Sequence, residues 1–523
     1  MDNHKEQIKA LLKDPEKLLR KKPFYRGSEQ EGTYYENMAT TARIGENVKQ
    51  PLPDLEKVVI PQEQFMMELD PNSHKVLFDE NIPCITQKIK GKYYEVEYKK
   101  MAIPYQQIIK NKHLLHLCGN DMVFTQLDKN PDETQKANFI TFKQYWDKRN
   151  QNGMRTKLVD TQLSYGDGAL LYYFDYKGRI KSRLLSFADG YVLYTHNDDN
   201  GDRLLDCIYY ANDGVEYLDC YDDTYMYRFT KDDESVKKSM MISALDGSEA
   251  ESGWVMKGEP KKHGFSESPV VTKRGDVAWN NVQNIIEVYE VIYNIFLVIQ
   301  KRHGWGILYV KGKFKDVGHK IEGAVVLNDT TPSEQGGSAE FKTPPSPQGM
   351  IETLELMEEA IQKGSGTTFI LPKDVKMSGD ISGIALQIAQ SFDNETALTN
   401  AIEYQNVADK MTRLFKEGLA KELVNDGINP KAVTEFEDLN IGSKFKVWRP
   451  LNETEYNNML VTLKGAGIIS AQTGIEKNTL STPDEVSRIE RENERMLEGQ
   501  RENLAPKEDA KTEIVENNET ITE

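Results

Sequence analysis

Cysteine is scarce in this chain of 523 residues. Its four cysteines, Cys84, Cys118, Cys207 and Cys220, are too few for a disulfide scaffold and form no Cys-x-x-Cys pair. That excludes a zinc ribbon or a dithiol redox centre and makes a reducing cytoplasm the expected setting. Basic charge is short as well: 66 Lys and Arg face 83 Asp and Glu, for a net charge of -17. Affinity for nucleic-acid phosphates comes from neutralising them with Lys and Arg, so a general nucleic-acid coat is excluded. A protein that handles nucleic acid by repelling it is not. Long apolar runs are missing too. Only Ile285 to Ile299 nears membrane hydrophobicity, and it carries Glu287, Glu290 and Asn294; a span needs ~20 apolar residues, so no membrane contact is expected. The N-terminus mixes Asp2, Lys5 and Glu6 and has no signal-type apolar core, so no export is expected.

Catalytic signatures are equally thin. Gly364-Ser365-Gly366-Thr367-Thr368 follows a helical pattern and has no following Lys, which makes it a flexible connector and not a phosphate loop. Gly465-Ala466-Gly467 reads as a helix C-cap. His113, His116 and Cys118 have ligand-like spacing without a nearby fourth ligand. Asp198 to Asp202 misses the calcium-loop pattern, because its twelfth position would be Cys207, and reads as a hairpin turn. No Gly-x-Ser-x-Gly elbow occurs. No catalytic residue, metal site or cofactor is nominated.

What is present points to two or more domains of an α+β protein. Residues 1 to 22 pattern as a basic amphipathic helix interrupted at Pro15, with Ile8, Leu11, Leu12, Leu18 and Leu19 on one side. Such a helix docks on its own domain or binds a membrane or nucleic acid. Helices are predicted over Pro104 to Leu117, closed by a left-handed cap at Cys118-Gly119-Asn120, and over Phe142 to Ser164. Strands punctuated by Gly, Asn and Asp turns follow: Ala169 to Tyr176, Arg179 to Phe187, Leu204 to Tyr210, Val215 to Tyr221 and Thr224 to Phe229. Their spacing predicts an antiparallel meander. Gly258 to Pro269 reads as a loop.

The second half is mainly helical. Asp276 to Arg302 contains neither Pro nor Gly and would reach roughly 40 Å. Its C-terminal half is apolar on nearly every side, which in a soluble chain requires burial all round, most simply between neighbouring subunits through Ile285, Ile292, Phe296 and Ile299. Trp305 to Pro347 is a Gly- and Pro-rich insert with strands at Ile307 to Val310, Ala324 to Leu327 and Ala339 to Phe341. Gln348 to Lys363 is helical, a polar loop spans Gly364 to Gly383, and a long helix runs from Ile384 towards Leu423. In it Val407, Met411, Phe415, Leu419 and Leu423 recur at i+4 as one core stripe. A strand, Lys444 to Trp448, precedes helices at Thr454 to Lys464, Ser470 to Lys477 and Pro483 to Leu497. Glu498 to Glu523 is an acidic, disordered tail by composition.

This order of parts resembles the portal proteins of tailed bacteriophages over roughly residues 24 to 497. The resemblance is carried by Leu163-Ser-Tyr-Gly166-Asp-Gly168-Ala-Leu-Leu-Tyr-Tyr, Ser268-Pro269-Val270-Val271 leading into Asp276, Leu308-Tyr309-Val310-Lys311-Gly312, Ser382-Gly383-Ile384-Ala385-Leu386, and Gly465-Ala-Gly467-Ile-Ile-Ser470-Ala-Gln-Thr473. It implies a portal-type fold in a cyclic oligomer, usually of twelve subunits. After a basic helix (1–23) come a wing (24–269), a first stem helix (270–303), a clip (304–347) and a second stem helix (348–363). A tunnel loop (364–383), a long helix with a returning wing strand (384–449), helical crown (450–497) and the acidic tail (498–523) complete it.

The function so implied is a channel at one capsid vertex, in the virion after assembly in the host cytoplasm. Double-stranded DNA would be packaged and ejected through it. Expected partners are the large terminase subunit, a head-completion or adaptor protein, and major capsid and scaffold proteins; no enzymatic activity is expected. The acidic charge suits a conduit that must not hold its cargo. Lys363, Lys373 and Lys376, bracketing the tunnel loop, are either its few DNA-facing cations or ordinary solvated loop lysines. Lys311, Lys313, Phe314 and Lys315 on the clip either dock the motor or adaptor or lie where strands pair between subunits. The competing class is a non-catalytic cytosolic oligomeric scaffold, or an unrecognised enzyme, with no DNA channel.

Overall fold

The computed structural model describes residues 2–26, 58–82, 85–89, 92–96, 99–231, 253–303, 307–311, 314–321, 324–329, 338–342, 348–369, 390–449, 453–478 and 485–504. The chain divides into two compact units, Met1–Leu371 with Gln390–Trp448, and Pro372–Ala389 with Arg449–Glu523. Helices and small antiparallel sheets alternate through the first, an α+β arrangement.

The amphipathic N-terminal helix spans Asp2–Leu12, and a second short turn, Pro15–Leu18, begins on the proline that ends it. Ile8 and Leu18 are buried with Leu204, Leu205, Cys207, Leu218 and Phe229 of the neighbouring sheet. His196 fixes the segment through a 2.9 Å contact from Nε2 to the Leu18 carbonyl. The apolar face therefore docks on the chain's own sheet, one of the two roles its pattern allows.

That sheet is a meander of Val192–Asn197, Arg203–Asn212, Val215–Tyr221 and Tyr225–Lys231, extended by the two-residue strands Val255–Met256 and Lys261–Lys262. The strands that open the predicted series belong elsewhere: Asp167–Phe174 lies between Ile180–Leu185 and Val270–Arg274 in a separate three-stranded sheet. The run predicted as one meander is two sheets, and its Val192–Asn197 strand is absent from the expectation. The tight turn between that strand and Arg203–Asn212 is built as its Asp/Asn/Gly sequence predicts. Asp198 accepts the N–H of Asn200 at 2.9 Å and of Asp202 at 2.8 Å, and Gly201 takes φ +93°.

Against the three-stranded sheet lies the main helical core. The helix predicted over Phe142 to Ser164 is two helices, Glu133–Lys148 and Gln151–Tyr165. They separate at Asn150, which sits in the left-handed region at φ 50° and caps the second helix by accepting the Gly153 N–H. In the same way, the described part of the predicted long helix is Ser391–Glu403 followed by Gln405–Asn425, with Tyr404 between them bonded to Gln162. The predicted stripe Val407, Met411, Phe415, Leu419 and Leu423 is buried throughout. Phe415 meets Trp146 and Phe142 at ring separations of 5.2 and 5.7 Å. Each side chain so buried contributes about 1.5–3 kcal/mol.

Two smaller expectations change. Gly119 ends the Tyr105–Cys118 helix at φ -66°, so its cap is right-handed; the Leu115 carbonyl, 2.5 Å from where its Cβ would stand, is what demands glycine there. The strand near Lys444 to Trp448 is Ile441–Lys444, paired with Val123–Gln126; Phe445 onward lies outside the sheet, with the Trp448 N–H donating to the His116 carbonyl at 2.7 Å.

Among the described residues the insert after residue 303 has four strands in two antiparallel pairs, Ile307–Lys311 with Ser338–Lys342 and Phe314–Ile321 with Ala324–Asp329. Phe314–Ile321 is an addition to the predicted three. In the second unit, helices span Glu453–Gly465, Ala471–Lys477 and Glu485–Leu504. Gly467, at φ +71°, closes the first by letting Ile468 N–H reach the Leu463 carbonyl at 3.0 Å. Ser470 caps the second on the Thr473 N–H. The third runs through Leu504, past the predicted start of the tail; residues 505–523 lie outside the described set.

Candidate functional site

The segment that most demands explanation is the apolar helix, which spans Gln283–His303, about 31 Å. It starts later than Asp276 because residues 278 to 282 form turns around the buried Trp279. Val282, Ile286, Glu290, Asn294 and Val298 recur at i+4 and are all buried, so this single stripe faces the chain's own body. Its two polar members are hydrogen-bonded. Asn294 accepts the Met101 N–H and donates to the Met101 carbonyl, both at 2.8 Å. Glu290 accepts the Ile103 N–H at 2.7 Å and meets His74 Nδ1 at 2.7 Å.

His74 bridges this helix to a second buried set. Its Nε2 lies 2.9 Å from the Glu68 carbonyl. Arg26 donates to both Glu68 carboxylate oxygens at 2.6 and 2.8 Å, and Trp279 Nε1 donates at 2.9 Å. Both His74 ring nitrogens face acceptors, so the arrangement retains a proton between His74 and Glu290. Burial opposes the imidazolium. The hydrogen bond and charge of Glu290, the Glu68 carbonyl and Asp70 outweigh it, and the His74 pKa is raised.

The residues predicted to pack between subunits flank that stripe. Ile285, Ile292, Phe296 and Ile299 are half-buried within the single chain, the first three touching its core from the side. Val291, Tyr293, Ile295 and Leu297 are also half-buried, and Val288 is 52% exposed. The neighbouring Gln348–Ser365 helix buries Leu354 and Ile361 and leaves Leu356 67% exposed.

The predicted cations are not brought together among the described residues. Lys363 sits in the last turn of the Gln348–Ser365 helix, exposed and paired with Glu359 at 3.1 Å. Lys373 and Lys376 lie outside the described residues, as does Lys313. Lys311 is opposite Ser338, while Phe314 and Lys315 are opposite Asp329 and Asn328, so the first is in one strand pair and the other two in the next.

The Gly364 to Thr368 stretch, expected to be a flexible connector, is a pinned turn. Gly366 takes φ +65°, Thr396 Oγ1 donates to its carbonyl at 3.1 Å, and Asp393 accepts the Thr368 N–H at 3.2 Å. His113 turns to the Ser365 carbonyl at 2.8 Å, and His116 packs edge-on against Trp448. Burial lowers the pKa of both imidazoles and pushes the Cys118 thiol up to about 11, away from the thiolate a metal needs. Among the described residues no three His, Cys, Asp or Glu side chains converge on a metal position, and no helix is long and apolar enough to cross a membrane.

Residues 74–499 match the family described as "Phage portal protein, SPP1 Gp6-like", and the chain belongs to that family. No curated protein matches it. Among solved structures it is similar, at 11% identity and a TM-score of 0.36, to one titled "Neck of empty GTA particle computed with C6 symmetry", over 70% of this chain and 88% of that one.

Proposed function

We propose that this protein assembles as a closed ring, a dodecamer, at one capsid vertex, forming the channel through which double-stranded DNA is packaged and ejected. Its family supports the portal role. The observation that carries the ring is the Gln283–His303 helix: one stripe is held by its own chain, while apolar side chains on the other sides are half-bare. A cyclic assembly covers such a face identically in every subunit. In this reading the two helices Gln283–His303 and Gln348–Ser365 are the stem, and the strand pairs between them are the clip. Among the described residues each pair is two strands wide, so its outer edges favour pairing with a neighbouring subunit or with a docked terminase or adaptor. Capsid and scaffold proteins are the partners of the surrounding shell. The role is one of shape and charge and calls on no catalytic residue.

Lys373 and Lys376 remain the proposed DNA-facing cations; Lys363 already has Glu359 beside it. Electron microscopy of the purified protein should show rings with an axial hole, and monomers under assembly conditions would remove the proposal. Phage carrying Lys373→Ala and Lys376→Ala should still form rings but package or retain less DNA. Unchanged DNA length and yield would release those lysines from the role.

A further inference from the structure

In a chain of net charge -17, one cleft gathers cations. Arg20, Lys21, Lys22 and Arg274 line a cavity of about 570 Å³ with Thr195 and the Asn197 to Gly201 turn. Arg203, Lys273, Arg274 and Thr195 line a second, of about 240 Å³. Arg274 and Thr195 belong to both, so the two adjoin.

Three of these cations have local carboxylate partners: Lys21 pairs with Asp167, Arg203 with Asp206 at 3.0 Å, and Lys273 with Glu403 at 3.5 Å. Arg20, Lys22 and Arg274 form no ion pair among the described residues. Arg274 is nevertheless held in place, by a hydrogen bond to the Lys22 carbonyl and by the Phe24 ring, whose centroid is 4.1 Å from its guanidinium carbon. Asp167, opposite Arg274 in the sheet and electrostatically felt by it, is already bound by Lys21, so a fixed guanidinium with no direct carboxylate contact, and two exposed cations beside it, is a receptor for carboxylate or phosphate.

The walls decide between those anions. Asp167, Asp198, Asp199 and Glu403 also line the cavities. A phosphate backbone, charged at every step, would meet them as well as the cations. A polypeptide places carboxylates at intervals, with neutral groups between, and avoids that repulsion. We propose that this cleft docks an extended acidic segment of a partner protein, its carboxylates held by Arg274, Lys22 and Arg20.

The test is fluorescence anisotropy with the full chain and a labelled peptide of alternating glutamate and serine. Its glutamine counterpart and an oligothymidylate of equal net charge serve as comparisons. Binding of the glutamate peptide, weaker in high salt and reduced about tenfold or more by Arg20→Glu with Lys22→Glu, is the expected result. Both side chains are exposed, so the variant's thermal unfolding should match the wild type. No binding, binding unaffected by the substitutions, equal binding of the glutamine peptide, or tighter oligothymidylate binding lost in the same variant would each overturn the assignment, the last in favour of nucleic acid.

Discussion

One imidazole ties the apolar helix to the rest of its chain. His74 is enclosed by Glu290 and the Glu68 carbonyl, with Asp70 nearby, Lys75 paired to Glu287, and Arg26 bound to Glu68. Because the folded-state pKa of His74 is raised above its ordinary 6.5, its contribution to stability is complete below that value and is lost as pH rises through the folded pKa. His74→Ala removes one partner of a buried ion pair and should cost about 3 kcal/mol near pH 5.5. Urea unfolding of both proteins should show the gap narrowing towards pH 9. A gap that stays constant with pH would mean that the imidazole serves only by its shape. None of this was legible in the sequence: Glu290 and Asn294 count there only as polar interruptions of an apolar run, because His74 and Met101, the residues they bind, lie far away along the chain.

Patterns that local chemistry writes are readable at the scale of elements. The i+4 stripe from Val407 to Leu423, the Asp198 turn and the Gly467 cap all lie where spacing places them, because neighbours along the chain suffice to define them. Long-range packing hides the remainder. The break at Asn150 depends on a left-handed residue that propensity permits but does not demand, and the division of the meander into two sheets depends on Val270–Arg274 returning to Asp167–Phe174. As for the proposed contact residues, the apolar excess of Ile285 to Ile299 was visible, whereas which stripe the chain covers for itself was not. Gly418 shows the same limit: helix propensity alone disfavours glycine there, yet an added Cβ would run into Ile180 Cδ1. Gly418→Ala gains about 1 kcal/mol of helix propensity, but the overpacking costs about 1–3 kcal/mol, so net destabilisation is expected. Ile180→Val, which removes the nearest clashing methyl but keeps Cγ1 2.9 Å away, should recover part of the loss in the double variant. Additive losses in thermal unfolding would show that the strand and helix do not meet there.

For the whole molecule, acidity and apolar surface act together. A net charge of -17 makes like copies repel, so a ring of them needs a continuous apolar contact to close. The half-bare sides of the Gln283–His303 helix offer one. Val288 is 52% exposed, and Ile299, half-buried, lies outside the clusters that hold the helix to its own chain. Replacing both with Glu leaves the stripe from Val282 to Val298, with its His74 and Met101 bonds, untouched. Ring formation should therefore fail while the monomer keeps its circular dichroism and unfolding midpoint. Sedimentation should then show a single monomer boundary, whereas the wild-type protein should sediment as a large species that persists in salt, because screening relieves repulsion without weakening apolar contact. Rings that survive Val288→Glu with Ile299→Glu would move the subunit interface off this helix, and a variant that fails to fold would show that the chain itself already needs those two side chains.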